Sequence, residues 1–455
     1  MSWYRYFWCC SNKQLLLTTG KYQWDFGKSI ATPVSKDISF SGNDILYRKE
    51  QMKHLSIGLE EALAITLGHI RPLGGEEVDL SESTDRVAAA DLCARVDSPS
   101  IDSSLKDGYA VKSGDVASAN TDIPVRLRLN GFLEAGGKTE LTLGEGTTIR
   151  VLTGARIPRD ADAVLSEEFT RQDGSDILAM NCAEPGRNIL SRGTDVACHS
   201  GIVKKGQALS PGIVGLLAAA GHSRVPVFQN PTVAIIGTGD EIVAPGEALS
   251  EGKLYASNIL TTHAWCRRYG MKTMMAVVHD DVDTLTKTFT RLSADTDAIV
   301  TSGGAWTGDR DFVAQVFEGL GWKQYFHRIR IGPGKAVGFG MLQEKPVFIL
   351  PGGPSSNLMG FLQIALPGLL TLAGNANPHL PVVNARLGTD LEGRQRDWTN
   401  FFFGRLEEGG ELPVFYPLRD SSRLRAIAEA DAIAGIPEGR GPLVRGSVVP
   451  VQVLK

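Results

Sequence analysis

Carboxylates and glycines occur together between Ala298 and Asp311, where the chain reads AIVTSGGAWTGDRD. Residues typical of a buried strand run into a turn with three glycines, and Asp309 and Asp311 precede the next apolar segment of helical period. Glycines let backbone N–H groups approach a ligand, and a helix N-terminus favours an anion. The stretch predicts a site for an anion with a divalent cation, although Asp309 equally fits a helix cap.

Two comparable glycine-rich loops follow other predicted strands, Gly237–Glu241 and Pro351–Pro354, and Asp280 follows a further strand. Carboxylates bind Mg²⁺, which bridges phosphate oxygens, and nearby Arg and Lys side chains offset the remaining charge. Such cations occur in one further loop, at Arg328, Arg330 and Lys335. The pattern favours a phosphorylated ligand held with a metal. The alternative is that these charges are solvated surface groups and helix caps.

Several familiar chemistries are excluded by their missing motifs. The chain has no G-x-x-x-x-G-K-[ST] phosphate loop, and Gly237-Thr-Gly239 lacks the third glycine of a dinucleotide fingerprint. ATP hydrolysis and hydride transfer are therefore unsupported. Cys198-His199 has no partner pair at zinc spacing.

The elements that must position these loops are strands alternating with helices from Thr232 onward. This alternation predicts a doubly wound, mostly parallel α/β domain, with ligands bound outside the carboxyl ends of the strands. Short strands separated by Gly, Asp and Pro between Asp107 and Val196 predict a small β-barrel or sandwich domain, inserted N-terminally. A C-terminal β-barrel domain is expected after Asn375, with one helix-like segment at 424–434.

Amphipathic spacing predicts a first helix at 56–70, which we expect to pack on the α/β domain. A second short helix is predicted around 83–92. The predicted division of the chain is a 1–51 extension, an elongated linker domain of 52–106 and 196–230, a small β domain of 107–195, an α/β domain of 231–375 and a C-terminal β domain of 376–455. The extension is either a private segment or lies upstream of a natural start at Met52. The regular pattern after Met52 favours the second interpretation.

Composition sets outer limits on function. A net charge of -4 argues against a nucleic-acid binder that relies on a general basic field. Six cysteines without CxxC spacing indicate a reducing, cytoplasmic setting. No uninterrupted apolar run approaches the roughly 18 residues needed to cross a bilayer, so no membrane partner is expected.

Five ordered motifs carry a family resemblance. They are Ser104–Val111, Ile149–Pro158 with Ala161–Val164, Ile235–Glu241, Thr301–Asp311 and Leu350–Pro354. Their order resembles that of the molybdopterin molybdenumtransferases, the MoeA and gephyrin E-domain family, from Met52 to Lys455.

The resemblance implies an enzyme of molybdenum cofactor biosynthesis that inserts molybdate into adenylylated molybdopterin and releases AMP in a Mg²⁺-dependent step. It also implies a cytoplasmic homodimer, whose active cleft lies between the α/β domain of one subunit and the β-rich domains of the other. Other cofactor-biosynthesis or acceptor proteins are further candidate partners. Either molybdate or tungstate fits the sequence, because the two oxyanions match in shape and charge.

The resemblance also assigns residues. The implied catalytic residues are Glu241, Asp311, Asp107 and Asp195, of which Glu241 and Asp311 are also the implied Mg²⁺ ligands. The implied binding residues for molybdopterin and molybdate are Thr153, Gly303, Gly304, Asp280, Arg328, Arg330, Lys335, Pro351, Gly352 and Ser421.

Four positions depart from the family pattern. Gly332 and Phe403 stand where a lysine and an arginine are expected, Lys106 replaces a methionine, and Gly353 replaces an asparagine. Two expected cations are thus missing. Two alternatives therefore stay open beside the metal-inserting enzyme: an adenylyltransferase that acts on molybdopterin, and a weakened molybdopterin-binding or scaffold homologue.

Overall fold

A six-stranded central sheet organises the chain, in a computed structural model that describes residues 57–304, 312–419 and 423–455. Its spatial strand order is Lys272–Val278, Thr232–Thr238, Ala298–Ser302, Lys345–Leu350, Gly338–Leu342 and Lys323–His327. The first four strands are parallel and the last two run antiparallel to their neighbours. The predicted doubly wound, mostly parallel α/β domain is confirmed, but sequence reasoning missed the last two strands.

Helices cover both faces of the central sheet. They are Ser257–Arg268, Val282–Asp295, Phe312–Gly319, and Pro354–Gly360, which continues through the π-helical turn Phe361–Ala365 into Leu366–Leu372. The strand Thr232–Thr238 shows the two-sided burial: Val233 and Ile235 belong to one apolar core, while Ala234 and Ile236 belong to the other. A strand buried on both faces is typical of a parallel sheet between two helical layers.

The helix Val282–Asp295 illustrates how the local sequence sets an element. The Asp281 side chain accepts a hydrogen bond of 2.8 Å from the Thr284 N–H and caps the helix. Leu285, Phe289 and Leu292 recur on one face and are buried against the sheet.

The helical stretch Pro354–Leu372 lies in the main core. It is 19 residues long and apolar enough to cross a membrane by length and composition, and 89% of it is buried inside the protein. Its burial is that of a core helix. The sequence analysis found no apolar run of this length, because polar residues interrupt the apolar residues of this helix.

A smaller set of elements precedes and follows the small β region. It comprises the helices Leu59–His69 and Pro211–Ala219 and the antiparallel strand pairs Gly75–Asp79 with Arg224–Phe228 and Leu92–Cys93 with Gly201–Val203. The Ser210 hydroxyl caps the second helix by accepting from the Ile213 N–H at 3.4 Å. The first helix packs against the long core helix. Just after the first helix ends, the Leu73 N–H donates to the Leu372 carbonyl at 2.9 Å.

The helix predicted at 83–92 is wrong. The structure has only a 3₁₀ turn at Leu80–Glu82, followed by isolated bridges from Val87 and Ala88. The Val87 carbonyl accepts from the Phe228 N–H at 2.8 Å, and the Ala88 N–H donates to the Gln207 carbonyl at 2.9 Å. Tertiary pairing therefore uses the backbone groups that a helix would have paired internally.

The small β region is a six-stranded sheet with the spatial order Ala163–Ser166, Gly108–Val111, Thr147–Val151, Val125–Leu133, Asp176–Ala179 and Thr170–Asp173. Separate apolar clusters cover its two faces: Val111 and Leu127 belong to one, and Ala110 and Ile149 to the other. The predicted strands are present in this sheet. Two further short strands, Ser103–Ser104 and Ile189–Leu190, pair with each other in a separate two-stranded sheet.

Five C-terminal strands close into a barrel, as predicted: Val382–Leu387, Thr399–Glu407, Val414–Pro417, Ala432–Ile436 and Val448–Val453. The two-residue strand Ile331–Gly332 adds to its edge beside Thr399. The helix expected at 424–434 covers only Leu424–Glu429. It ends there because the Asp431 N–H donates to the Gly404 carbonyl and the chain enters the barrel as a strand.

Candidate active site

The ends of four adjacent parallel strands gather the predicted loops at one edge of the central sheet. Thr238 pairs with Val278, Gly237 with Ser302, and Ser302 with Leu350, so these strands end level with one another. The predicted site residues that directly follow these ends are Glu241, Asp280, Gly303, Gly304, Pro351 and Gly352. The structure therefore brings these six residues to one edge.

Acidic side chains concentrate on one half of that edge. The Asp280 N–H donates to Asp240 Oδ1 at 3.3 Å, and His279 Nδ1 lies 3.5 Å from the same oxygen. Burial, followed by the negative charges of Asp240 and Glu241, raises the pKa of the Asp280 carboxyl, while the neighbouring His279 opposes the shift. The carboxylates are thus close enough to repel one another. The Lys253 ammonium donates to the Asp240 carbonyl and holds the adjoining backbone.

Glycine is required at the turn that follows Ser302. Gly303 has a φ of +106°, and a Cβ there would lie 2.4 Å from the Thr238 carbonyl oxygen. Gly304 has a φ of +68°, and its Cβ would lie 2.2 Å from the side chain of Val313. Any side chain would collide with these neighbours, so the backbone itself forms the surface of the loop.

Two asparagines that the motifs did not single out connect the glycine-rich loops. The Asn258 amide donates to Ser302 Oγ and to the Gly352 carbonyl, and the Asn357 amide donates to Ser302 Oγ and to the Pro351 carbonyl. The sequence could have indicated a role for Asn357, because it is a polar residue at the start of a long apolar core helix. No comparable signal marks Asn258, whose partners lie 44 and 94 residues away in sequence.

The predicted cationic loop connects the central sheet to the barrel. Arg330 donates through Nε and Nη2 to Glu438 Oε1, at 3.0 and 2.8 Å. The Arg328 N–H donates to the Val337 carbonyl, and the Lys335 carbonyl accepts from Ile329 at 2.9 Å. Arg330 is therefore paired with a carboxylate of the barrel.

A second carboxylate site lies in the small β region. Asp107 Oδ1 accepts from the Thr153 N–H and from its hydroxyl, both at 2.7 Å. The N–H of Thr153, then its hydroxyl, and the positive charge of Arg150 hold the pKa of Asp107 below its usual range. The ionised form of Asp107 is therefore favoured, and its donors come from its own neighbours.

Asp195 lies at the junction beside Ser98. Its N–H donates to the Ser98 carbonyl at 2.9 Å, and the Ser98 hydroxyl lies 3.5 Å from Asp195 Oδ2. Across the described ranges, no hydrogen bond or ion pair joins Asp107, Thr153 or Asp195 to Glu241 or Asp280. Within one chain the predicted acidic set is therefore divided: Asp107 bonds to Thr153, Asp195 lies beside Ser98, and Glu241 and Asp280 lie at the sheet edge. Asp309, Asp311 and Ser421 lie outside the described residues.

The departures from the family pattern differ in environment. The Phe403 side chain is fully buried in the main apolar core, so it faces packed side chains and not an open cleft. Gly332 lies at the barrel edge, beside the paired strand that contains Asn400. A Cβ added at Gly353 would meet no atom within 4 Å, so that position is open.

The acidic edge has the carboxylate oxygens that a Mg²⁺ site uses. In the part of the chain that the structure describes, no group of three or more His, Cys, Asp or Glu side chains is arranged to hold a metal ion. Mg²⁺ usually binds through one or two carboxylates together with waters and substrate phosphates. Burial and the negative charges of Asp240 and Glu241 raise the pKa of Asp280, and a divalent cation would offset those charges, so Glu241 and Asp280 fit such an ion in type and charge.

Comparisons with known proteins cover nearly the whole described chain. Three family models match in order: the MoeA N-terminal region (domain I and II) at residues 57–221, a probable molybdopterin binding domain at 234–371, and the MoeA C-terminal region (domain IV) at 384–454.

Named relatives match over similar spans. A molybdopterin molybdenumtransferase of Bacillus subtilis is 30% identical over 411 residues, which cover 89% of this chain and 95% of the relative. Molybdopterin molybdenumtransferase 2 of Mycobacterium tuberculosis is 30% identical over 380 residues, covering 82% of this chain and 94% of the relative.

Solved structures agree with these matches. Two crystal structures of the molybdopterin biosynthesis MoeA protein of Pyrococcus horikoshii superpose with TM-scores of 0.72 and 0.71, at 33% and 28% identity. Each covers 88% of this chain and 100% of its own. The chain therefore belongs to the MoeA family of molybdopterin molybdenumtransferases and is a transferase of molybdenum cofactor biosynthesis.

Proposed function

We propose that this protein inserts molybdate into adenylylated molybdopterin and releases AMP in a Mg²⁺-dependent step. The observation that carries the proposal is the edge of the central sheet, where four level strand ends hold two repelling carboxylates beside glycine-rich backbone. Family membership supports the same reaction class.

The roles of the residues follow from their chemistry. Glu241 and Asp280 supply carboxylate oxygens at the acidic half of the edge. Gly303, Gly304 and Gly352 let backbone approach an anionic substrate without interference from side chains. A bound Mg²⁺ would supply positive charge to the phosphate oxygens of the substrate and make AMP a better leaving group. Asp311 remains a proposed further ligand.

We further propose that the working enzyme is a homodimer in the cytoplasm. The Asp107–Thr153 pair and Asp195 have no described contact to Glu241 or Asp280 in the same chain. A second subunit could bring Asp107 and Asp195 to Glu241 and Asp280 across a shared cleft. Within each subunit the Arg330–Glu438 ion pair joins the cationic loop to the barrel.

A shared cleft makes a specific prediction about mixed subunits. Asp107→Asn and Glu241→Gln subunits, each with strongly reduced activity alone, should form mixed dimers with one intact cleft out of two. Random mixing should then restore about one quarter of wild-type activity. If the mixture stays inactive although mixed dimers are isolated, the cleft is not shared.

The direct test of the reaction supplies purified protein with adenylylated molybdopterin, Mg²⁺ and either molybdate or tungstate. We expect AMP release together with metal bound to the pterin product, measured by chromatography and metal analysis. Folded protein that releases no AMP with either oxyanion would contradict the proposal. Pyrophosphate release from ATP and molybdopterin would instead identify an adenylyltransferase.

A further inference from the structure

A buried polar cluster lies directly beneath the glycine-rich edge. It consists of Asn258, Ser302 and Asn357, here called the amide clasp. Asn357 Nδ2 donates to Ser302 Oγ at 3.0 Å and to the Pro351 carbonyl at 2.9 Å. Asn258 Nδ2 donates to Ser302 Oγ at 3.1 Å and to the Gly352 carbonyl at 2.7 Å. Each NH₂ group thus uses both of its hydrogens.

The surroundings of Asn357 are those of an apolar core. Its side chain is 2% exposed, and Leu358, Met359 and Phe361 beside it in the helix are equally buried. Burying an amide is unfavourable unless its donors are satisfied, so a polar residue here needs partners. Both partners are at the ends of strands of the central sheet, and neither belongs to the helix that carries Asn357. The amide therefore acts on the loop.

The clasp fixes the direction of two peptide planes. In a trans peptide the carbonyl of one residue and the N–H of the next point in opposite directions. The Pro351 and Gly352 carbonyls point into the clasp, so the N–H groups of Gly352 and Gly353 point away from it. Gly352 and Gly353 are both exposed, so this outer side of the loop is accessible to a ligand.

We propose that Asn357 and Asn258 are positioning residues that aim the Gly352 and Gly353 N–H groups at a tetrahedral oxyanion of the substrate. In the described part of the chain neither N–H has a protein acceptor. Outward backbone donors in a glycine loop bind phosphate-like anions. The oxyanion is either the phosphate that leaves in AMP or the incoming molybdate. The inference rests on the proposed function for the identity of its substrate.

The first measurement needs no turnover. Asn357→Leu keeps the approximate size of the side chain and removes both donors. Gln363→Met is the matched control, because Gln363 is 6% exposed in the same continuous helix and donates to Gln452 of the barrel at 2.7 Å. Calorimetric titrations with AMP and with molybdate should show about tenfold weaker binding of one of them by Asn357→Leu. Gln363→Met should bind both ligands as the wild type does.

The second measurement is steady-state kinetics. Asn357→Leu should raise KM for the substrate that carries the oxyanion about tenfold with little change in kcat, because the N–H groups bind ground state and transition state alike. A merely structural role would lower the active fraction and leave KM unchanged. Asn258→Ala, at a half-buried position, serves as the second variant if Asn357→Leu does not fold, and should shift the same parameters in the same direction.

The outcomes separate the two proposals. Weakened binding in the variants without AMP release from the wild type would support the clasp and contradict the proposed reaction. Normal turnover with unchanged affinity and KM in Asn357→Leu and Asn258→Ala would overturn the clasp alone. Wild-type protein that binds neither AMP nor molybdate would also overturn it.

Discussion

The acidic edge of the central sheet and the Asp107–Thr153 pair both contain carboxylates, but their electrostatics are opposite. Asp280 has a raised pKa because it is partly buried beside Asp240 and Glu241. Asp107 has a lowered pKa because Thr153 supplies two donors. One site holds carboxylates that repel each other, whereas the other holds a carboxylate that is already satisfied.

This difference indicates which site needs a ligand. Among the described residues, the side-chain oxygens of Glu241 and Asp280 accept no hydrogen bond. Unpaired carboxylates that repel one another favour a cation, while a carboxylate with two donors is held in place as a fixed negative charge. We therefore propose the edge as the metal site and Asp107 as a fixed negative charge that orients its neighbours.

The largest predicted effect is at Glu241. Glu241→Gln should reduce AMP release at least about 100-fold, because it removes a charged oxygen ligand from the edge. The side chain is exposed, so the melting temperature should change little. Glu251→Gln, an exposed residue of the same connection, is the control and should keep full activity. Substantial activity in Glu241→Gln would remove that residue from the site.

Asp280→Asn should reduce turnover less than Glu241→Gln does. It should also change how the stability of the protein depends on pH. A raised pKa in the folded protein means that the native state binds this proton more tightly than the unfolded chain does. The wild type therefore loses stability relative to Asp280→Asn as the pH rises from the ordinary carboxyl range through the raised pKa. Thermal unfolding of both proteins between about pH 4 and about pH 8 measures this difference. A stability difference that stays constant over this pH range would contradict the raised pKa of Asp280.

The smallest effect is expected for Thr153→Val. The change removes the hydroxyl donor but keeps the backbone N–H, which is the larger cause of the lowered pKa of Asp107. The pKa of Asp107 should rise only part of the way toward its usual value, as followed by carboxyl-carbon NMR during an acid titration. The stabilisation tied to a lowered pKa is present above the ordinary value and is lost on acidification. An unshifted Asp107 signal would show that the hydroxyl contributes nothing.

Local hydrophobic period predicted much of the fold. Continuous apolar runs marked the four parallel strands, and the glycine loops after them were placed at one edge for that reason. Val87 and Ala88 were assigned to a helix because their backbone partners, Phe228 and Gln207, are distant in sequence. The last two sheet strands were missed because Lys323–His327 and Gly338–Leu342 are short and lie among loop-like residues.

The sequence predicted only part of the candidate site, because contacts between residues distant in sequence are not visible in local patterns. Residue type and strand ends identified Glu241, Asp280 and Gly303, whereas Asn258 and Asn357 gain their roles only from contacts made on folding. The missing arginine at Phe403 looked like a lost site cation in sequence, but in the structure the position is core. Asp311 and Ser421 remain predictions.

The most direct test of the contrast is a Mg²⁺ titration of AMP release. We predict that Asp280→Asn raises the half-saturating Mg²⁺ concentration about tenfold or more, while Asp107→Asn lowers turnover at an unchanged half-saturating concentration. Glu241→Gln, if its residual rate is measurable, should behave as Asp280→Asn does. A Mg²⁺ requirement that shifts in Asp107→Asn and not in Asp280→Asn would place the metal at the small β region and contradict this account.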